Sequence, residues 1–197
     1  MARPIEFTRE EVLDKAMLAF WDHGYQGTSM ADLVEATDLN PGSIYAAFQS
    51  KQGLFLAVLD HYAEQGVQRM RRSLAEAKSP LQGIRQYLRQ LADDVAGAKG
   101  RGSCLLINTV LELSRHNATV QERVNQHLKV VEDLFRQALK DAQACGELSP
   151  AKDPGELSAF LMTNIWGLRV LAGTAPSVSR TRAVVKQLMN CLLAEAV

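Results

Sequence analysis

The stretch from Thr28 to Phe48 most narrows what this chain can fold into, because two short helical patterns meet there across a tight break. Thr28 or Ser29 can cap a first helix whose apolar Met30, Leu33 and Val34 recur at helical spacing, with Asp32 placed early, where the helix dipole favours negative charge. The run Thr37-Asp38-Leu39-Asn40 interrupts that pattern. Asn40 then offers a second N-cap, and Pro41 takes the first helical position, where a missing amide hydrogen costs nothing. Ile44 and Phe48, one helical turn apart, define the buried face of this second helix. A short helix with a polar, exposed tip is what the major groove of DNA admits, so the pattern predicts a helix-turn-helix.

Both flanks extend the helical reading. Thr8 and Glu11 have capping-box spacing and open a helix with Val12, Leu13, Ala16, Met17 and Phe20 on one face, ended by Gly24. Gln49-Ser50-Lys51 starts another, with Leu54, Phe55, Val58, Leu59 and Tyr62 apolar. No strand-like alternation follows. Leu81, Ile84, Leu88, Leu91 and Val95 trace a helical face after Pro80, and the glycines from Gly97 to Gly102 break it. Further helices are predicted from Ser103 to about Ser114 and from Asn117 to about Ala144, the latter with Val120, Val124, Leu128, Val131, Leu134 and Phe135 inward. The last two run from Gly155 to about Ala172 and from Val178 or Ser179 to the C-terminus, which makes the fold class all-α.

Composition then limits the function. A chain of 197 residues that is 47% hydrophobic and 22% charged has apolar material for one extended domain or two small ones. It has no opening apolar run of signal-peptide length and no long uncharged apolar stretch, which predicts a cytoplasmic protein without membrane contact. Cys104, Cys145 and Cys191 lie far apart, which argues against a disulfide framework or a zinc finger. His23, His61, His116 and His127 are scattered, and no nucleophile elbow, phosphate loop or metalloprotease motif accompanies them, so an enzyme has little support. Charge opposes DNA binding: residues 1–51 carry four cations, Arg3, Arg9, Lys15 and Lys51, against eight acids. A helical adaptor without DNA affinity draws its only support from that balance. The acids sit in the first two helices, however, and Leu39 to Lys51 contains none.

The run from Ala16 through Phe20, Gly24-Tyr25-Gln26-Gly27-Thr28-Ser29, Ile44-Tyr45, Phe48 and Ser50-Lys51 to Leu54-Phe55 resembles the DNA-binding domain of the TetR family of one-component bacterial transcription regulators. The resemblance implies an N-terminal three-helix helix-turn-helix domain over residues 1–52 and a helical effector-binding and dimerisation domain over 53–197. It also implies a homodimer on double-stranded operator DNA, repression relieved by a small-molecule effector, and neither an enzymatic activity nor a cofactor or metal.

Residue roles follow the family pattern. Thr28 and Ser29 are expected to hold phosphate at the start of the supporting helix, with capping alone as the alternative for Thr28. Asn40, Pro41, Gly42 and Ser43 form the tip of the recognition helix, Tyr45 lies against the DNA backbone, and Lys51 clamps a phosphate from the next helix. Ala46 and Ala47 stand where bulkier polar or basic residues are common in the family, which shifts sequence reading toward thymine methyl contacts or DNA shape. The last two helices are apolar on more than one face, and Leu161, Ile165, Leu168, Val185, Leu188 and Leu192 are expected at a four-helix dimer interface; the alternative is a monomer core. The segment from Tyr62 to Gly173 is expected to enclose an effector cavity, with Cys104, Asn108 and Glu112 sharing one helical face that lines the pocket or forms a solvated edge. Asn164, Trp166 and Arg169 add polar or amphipathic groups on the penultimate helix. Cys104 stands at a helix start beside Arg101, where its thiol would be nucleophilic and sense electrophiles or oxidants; the alternative is simple packing.

Overall fold

The computed structural model describes residues 8–97, 104–113 and 117–193. Among the described residues the fold has nine α-helices and one short 3-10 turn, and no strand. They are α1 (Arg9–Gly27), α2 (Met30–Thr37), α3 (Pro41–Phe48), α4 (Lys51–Ala75), α5 (Pro80–Gly97), α6 (Leu105–Leu113), α7 (Ala118–Ala144), α8 (Pro154–Leu171) and α9 (Val178–Leu193). The predicted helix ends at Ser103 and Ser114, together with Arg101 and His116, lie outside the described residues.

Short-range chemistry fixes most of the helix starts. Thr8 and Glu11 close a reciprocal capping box on α1, Ser29 and Asp32 do the same on α2, and the Asn40 side chain accepts the Ser43 N–H ahead of Pro41 on α3. The Asp32 carboxyl, held by the Ser29 backbone N–H and then by its hydroxyl, stays below the usual carboxylate range. Ser50, Asn117 and Asp153 cap α4, α7 and α8 in the same way. Gly24 interrupts α1 with φ of 72°, so the chain turns there before the helix resumes to Gly27.

Two apolar clusters share the chain. The head cluster joins Phe20, Leu33, Ile44, Phe48, Leu54 and Phe55 from α1 to α4 with Leu105, Leu106 and Leu113 of α6 and Val120 and Val124 of α7. Phe20 and Tyr25 both pack on Phe55, with ring centroids 4.8 Å apart in each pair. The body cluster gathers Met70 of α4 with α5, the second half of α7, α8 and α9. Helix α4 therefore enters both clusters.

The apolar surplus on α8 and α9 divides differently from expectation. Leu161, Ile165, Leu168, Val185, Leu188 and Leu192 are all buried inside the monomer's own body cluster, at 7% exposure or less, because α5 and α7 pack over that face. They are core, which corrects their assignment to a dimer interface. The face of α8 left uncovered carries Phe160, Trp166 and Val170, which are 39%, 38% and 56% exposed, with Thr163 and Gly167 between them.

Candidate nucleic-acid interface and effector cavity

Helix α3 projects its N-terminal turn and outer face. Asn40, Pro41, Gly42, Tyr45, Ala46 and Ala47 are exposed, Ser43 is half-buried, and Ile44 and Phe48 anchor the opposite face in the head cluster. Gln49 then takes a left-handed φ of 67° and donates its N–H to Tyr45 O at 2.8 Å, which turns the chain sharply into α4. The junction is tight: a Cβ on Gly53 would lie 2.0 Å from the Phe48 carbonyl oxygen. Ser29 is exposed at the head of α2, where its hydroxyl also meets Asp32.

Thr28 does not share that role. Its side chain is fully buried, and its hydroxyl donates inward to Gly24 O at 2.6 Å and Ala19 O at 3.3 Å, so it locks the end of α1. Capping of α2 falls to Ser29, and the phosphate role assigned to the Thr28 side chain is corrected. Lys51 sits half-buried with Nζ 4.5 Å from the centre of the Tyr25 ring. Burial draws its ammonium below the ordinary value, and the Glu112 and Asp32 carboxylates oppose that shift. Arg9, which the sequence reading passes over, places its guanidinium 5.0 Å from the Phe48 ring centre and adds a cation near the C-terminal end of α3. On the acidic side of the balance, Lys15 neutralises Asp38 at 2.6 Å.

A cavity of about 70 Å³ opens among α4, α5, α6, α7 and α8. Tyr62, Ala63, Gly66 and Arg69 come from α4, Tyr87 from α5, Leu106 and Ile107 from α6, His127, Leu128 and Val131 from α7, and Met162, Ile165, Trp166 and Arg169 from α8. Cys104, just before α6, completes the wall and receives a hydrogen bond from the Tyr62 hydroxyl at 3.5 Å from Sγ. Burial pushes the phenols of both Tyr62 and Tyr87 well above their ordinary range, so each remains a proton donor at neutral pH. His127 is braced from behind, its Nε2 2.7 Å from the carboxylate of Asp60, which also receives Arg123.

Of the three residues expected on one effector-facing stripe, only Cys104 lies in the cavity wall; Asn108 and Glu112 do not. The Glu112 carboxylate instead accepts the backbone N–H groups of Tyr25 and Gln26, at 3.0 and 2.7 Å, in the turn after Gly24. Helix α6 points this end toward the head, so successive four-residue steps carry the face from the cavity to α1. Tyr87 in the cavity wall carries no sequence signal because it stands in no motif, and His127, visible in the sequence as one of four scattered histidines, has only a place on a helical face.

No helix among the described residues is long and apolar enough to cross a membrane, and no group of three or more potential metal ligands occurs among them. A model of bacterial regulatory proteins of the tetR family matches residues 12–58, and a model of the tetracyclin repressor-like C-terminal domain matches residues 80–188. The chain is 35% identical over 179 residues to the HTH-type transcriptional repressor ComR of Escherichia coli (strain K12), an alignment covering 90% of this chain and 85% of ComR. A cysteine mutant of the TetR family transcriptional regulator CifR, solved in complex with 26bp double-strand operator DNA, superposes with a TM-score of 0.87 at 32% identity, covering 97% of this chain and all of that one (100%). The reduced form of E. coli NemR shares the fold, with a TM-score of 0.85 at 20% identity over 96% of this chain and 98% of NemR.

Proposed function

The chain belongs to the tetR family of bacterial regulatory proteins and is a transcription regulator that binds operator DNA, and from that premise we propose a homodimeric cytoplasmic repressor released from its operator by a small molecule in the central cavity. One observation carries the reading: α6 contributes Leu106 and Ile107 to the cavity wall and, through Glu112, holds the turn that ends α1. A ligand that fits the cavity better in one pose of α6 shifts the head by its differential affinity for the two states. In a twofold dimer, two copies of α3 would enter major grooves about one DNA turn apart, and a changed spacing would lose that match. Ser29, Asn40, Pro41, Gly42, Ser43, Tyr45 and Lys51 form the DNA-facing set, with Ser29 and Lys51 on phosphate. ComR's description as a repressor supports the sign of the regulation.

The test is a fluorescence-anisotropy titration of the DNA upstream of the protein's own gene across a salt series. Tyr45→Ala and Lys51→Ala should weaken binding with helicity unchanged, and loss of Lys51 should lower the log affinity against log salt slope by about 0.9 per subunit. Parental binding by both variants would displace α3 from the reading role.

A second reading rests on the hydrogen bond from Tyr62 to Cys104 Sγ in the cavity wall. An activated alkene that adds to this sulfur forms an S–C bond as its C=C π bond breaks, the thiol proton ends on the adjacent carbon, and the adduct biases α6 from its first turn. Cys104→Ser should then lose release of DNA by N-ethylmaleimide while binding DNA like the parent; an unchanged response leaves a reversible ligand as the signal.

A further inference from the structure

We propose that the central cavity takes an anionic effector, a compact carboxylate seated on Arg169 with the Tyr87 hydroxyl as a second donor. The inference rests on the reading of this cavity as the effector site and adds the chemistry of its ligand.

The argument starts from charge. Arg69 and Arg169 line the cavity, and no carboxylate does. Three arginines outside the cavity have acidic mates: Arg123 with Asp60, Arg136 with Glu132 and Asp133, and Arg182 with Asp93. Among the described residues the Arg169 side chain has no such mate and makes no hydrogen bond. The carboxylate of Asp94, on the exposed side of α5, bears on it only through space. Burial works against the charge on Arg169 and the groups around it more than offset that, so the guanidinium stays charged in the wall, where an oxyanion with two acceptor oxygens matches its planar fork.

The neighbouring groups favour the same ligand. Tyr62 already donates to Cys104, whereas the Tyr87 hydroxyl makes no hydrogen bond among the described residues and remains a neutral donor. Arg69, exposed on α4, adds positive potential where the cavity meets solvent. Leu106, Met162 and Ile165 supply an apolar wall for a hydrocarbon body, and a volume of about 70 Å³ suits a compact molecule.

Trp166 lines the cavity and gives a built-in signal, because the only other tryptophan is Trp21. Trp21 packs edge-on to Tyr62 and its buried ring N–H has no partner among the described residues, so Trp21→Phe is a suitable background. In that full-length background, benzoate and butyrate would be titrated against benzamide and butyramide, with Trp166 fluorescence reading binding and operator anisotropy reading release. The carboxylates should bind at least tenfold more tightly than their amides. Arg169→Met should weaken carboxylate binding by about 10- to 100-fold and leave the amides unchanged, and Tyr87→Phe should weaken it by about fivefold. The Tyr87 variant keeps the test alive if Arg169→Met does not fold. Equal binding of acids and amides, carboxylate affinity indifferent to both substitutions, or no saturable carboxylate binding at millimolar concentration would each overturn the proposal. Arg169-dependent binding without operator release would retain the anion site and remove its effector role, whereas release driven equally by amides would do the reverse.

Discussion

Glu112 accepts the backbone N–H of Tyr25 at 3.0 Å across 87 residues of sequence, so the last turn of α6 grips the turn that closes α1. The seat is cut to fit. A Cβ on Gly24 would lie 2.8 Å from the Glu112 carboxylate oxygen, and the left-handed φ there is one that side chains rarely adopt. Glycine at this position therefore makes both the turn and the space for the carboxylate that holds it.

Replacing that carboxylate should loosen the head without dissolving the fold. Glu112→Ala leaves the N–H groups of Tyr25 and Gln26 to solvent and should cost about 1–3 kcal/mol of unfolding free energy in urea, with Glu112→Gln losing less. The larger effect should fall on communication, since operator affinity in the alanine variant should respond less to any ligand of the cavity. A variant that unfolds and responds like the parent would remove Glu112 from that route.

Two glycines of the reading head should behave in opposite ways. Gly53→Ala forces a methyl group to 2.0 Å from the Phe48 carbonyl oxygen, so the α3–α4 joint must open, at an expected cost of about 3 kcal/mol or more and with loss of operator binding. At Gly42 the nearest atom to a new Cβ is Asn40 Oδ1 at 3.3 Å, a contact a small shift of the cap relieves. Gly42→Ala should thus melt within a few degrees of the parent, and any loss of DNA affinity in it reports close approach of the helix tip. Thermal melts and anisotropy on both variants separate the cases.

Neighbouring hydroxyls also divide. Thr28→Val strands the Gly24 and Ala19 carbonyls inside the head and should cost about 1–2 kcal/mol with the salt slope of DNA binding unchanged. Ser29→Ala removes a helix cap worth about 1 kcal/mol, and a further loss of DNA affinity at every salt concentration is expected from this hydroxyl and not from Thr28. A folded Thr28 variant that loses DNA affinity would return that side chain to the phosphate.

Charge placed on the two faces of α8 and α9 should give two distinct failures. Leu188→Glu puts a carboxylate into the body core and should yield unfolded or insoluble protein. Phe160→Glu and Val170→Glu alter only the exposed stripe, so they should keep parental circular dichroism and appear as monomers in light scattering. A folded wild-type monomer at micromolar concentration would deny the stripe a partner copy.

Local rules carried the reading of this chain furthest. Thr8, Ser29, Asn40 and Asn117 satisfy orphan N–H groups within three residues of themselves, and such pairings are written in adjacent sequence. Glu112 is of another kind, because its partners are backbone groups more than eighty residues away that have no side-chain signature. The surplus of apolar residues on α8 is visible in sequence, yet which face turns inward depends on where α5 and α7 pack. Leu161 and Phe160 are neighbours of equal hydrophobic promise, and only tertiary contacts separate the fully buried one from the exposed one. Arg169 shows the same limit, since its place in a cavity wall without a carboxylate among the described lining residues is a property of the assembled helices.

Helix α4 runs unbroken for 25 residues, a rod of about 37 Å, from Leu54 and Phe55 in the head to Met70 in the body. This continuity bears on how such regulators diversify. A head transplanted onto a foreign body must bring a compatible half of α4 with it and meet counterparts of Leu105, Leu106 and Leu113 on arrival. On the proposed reading of α3, point changes on its exposed outer face, at Tyr45, Ala46 and Ala47, should therefore alter operator preference at less cost to folding than exchange of whole modules.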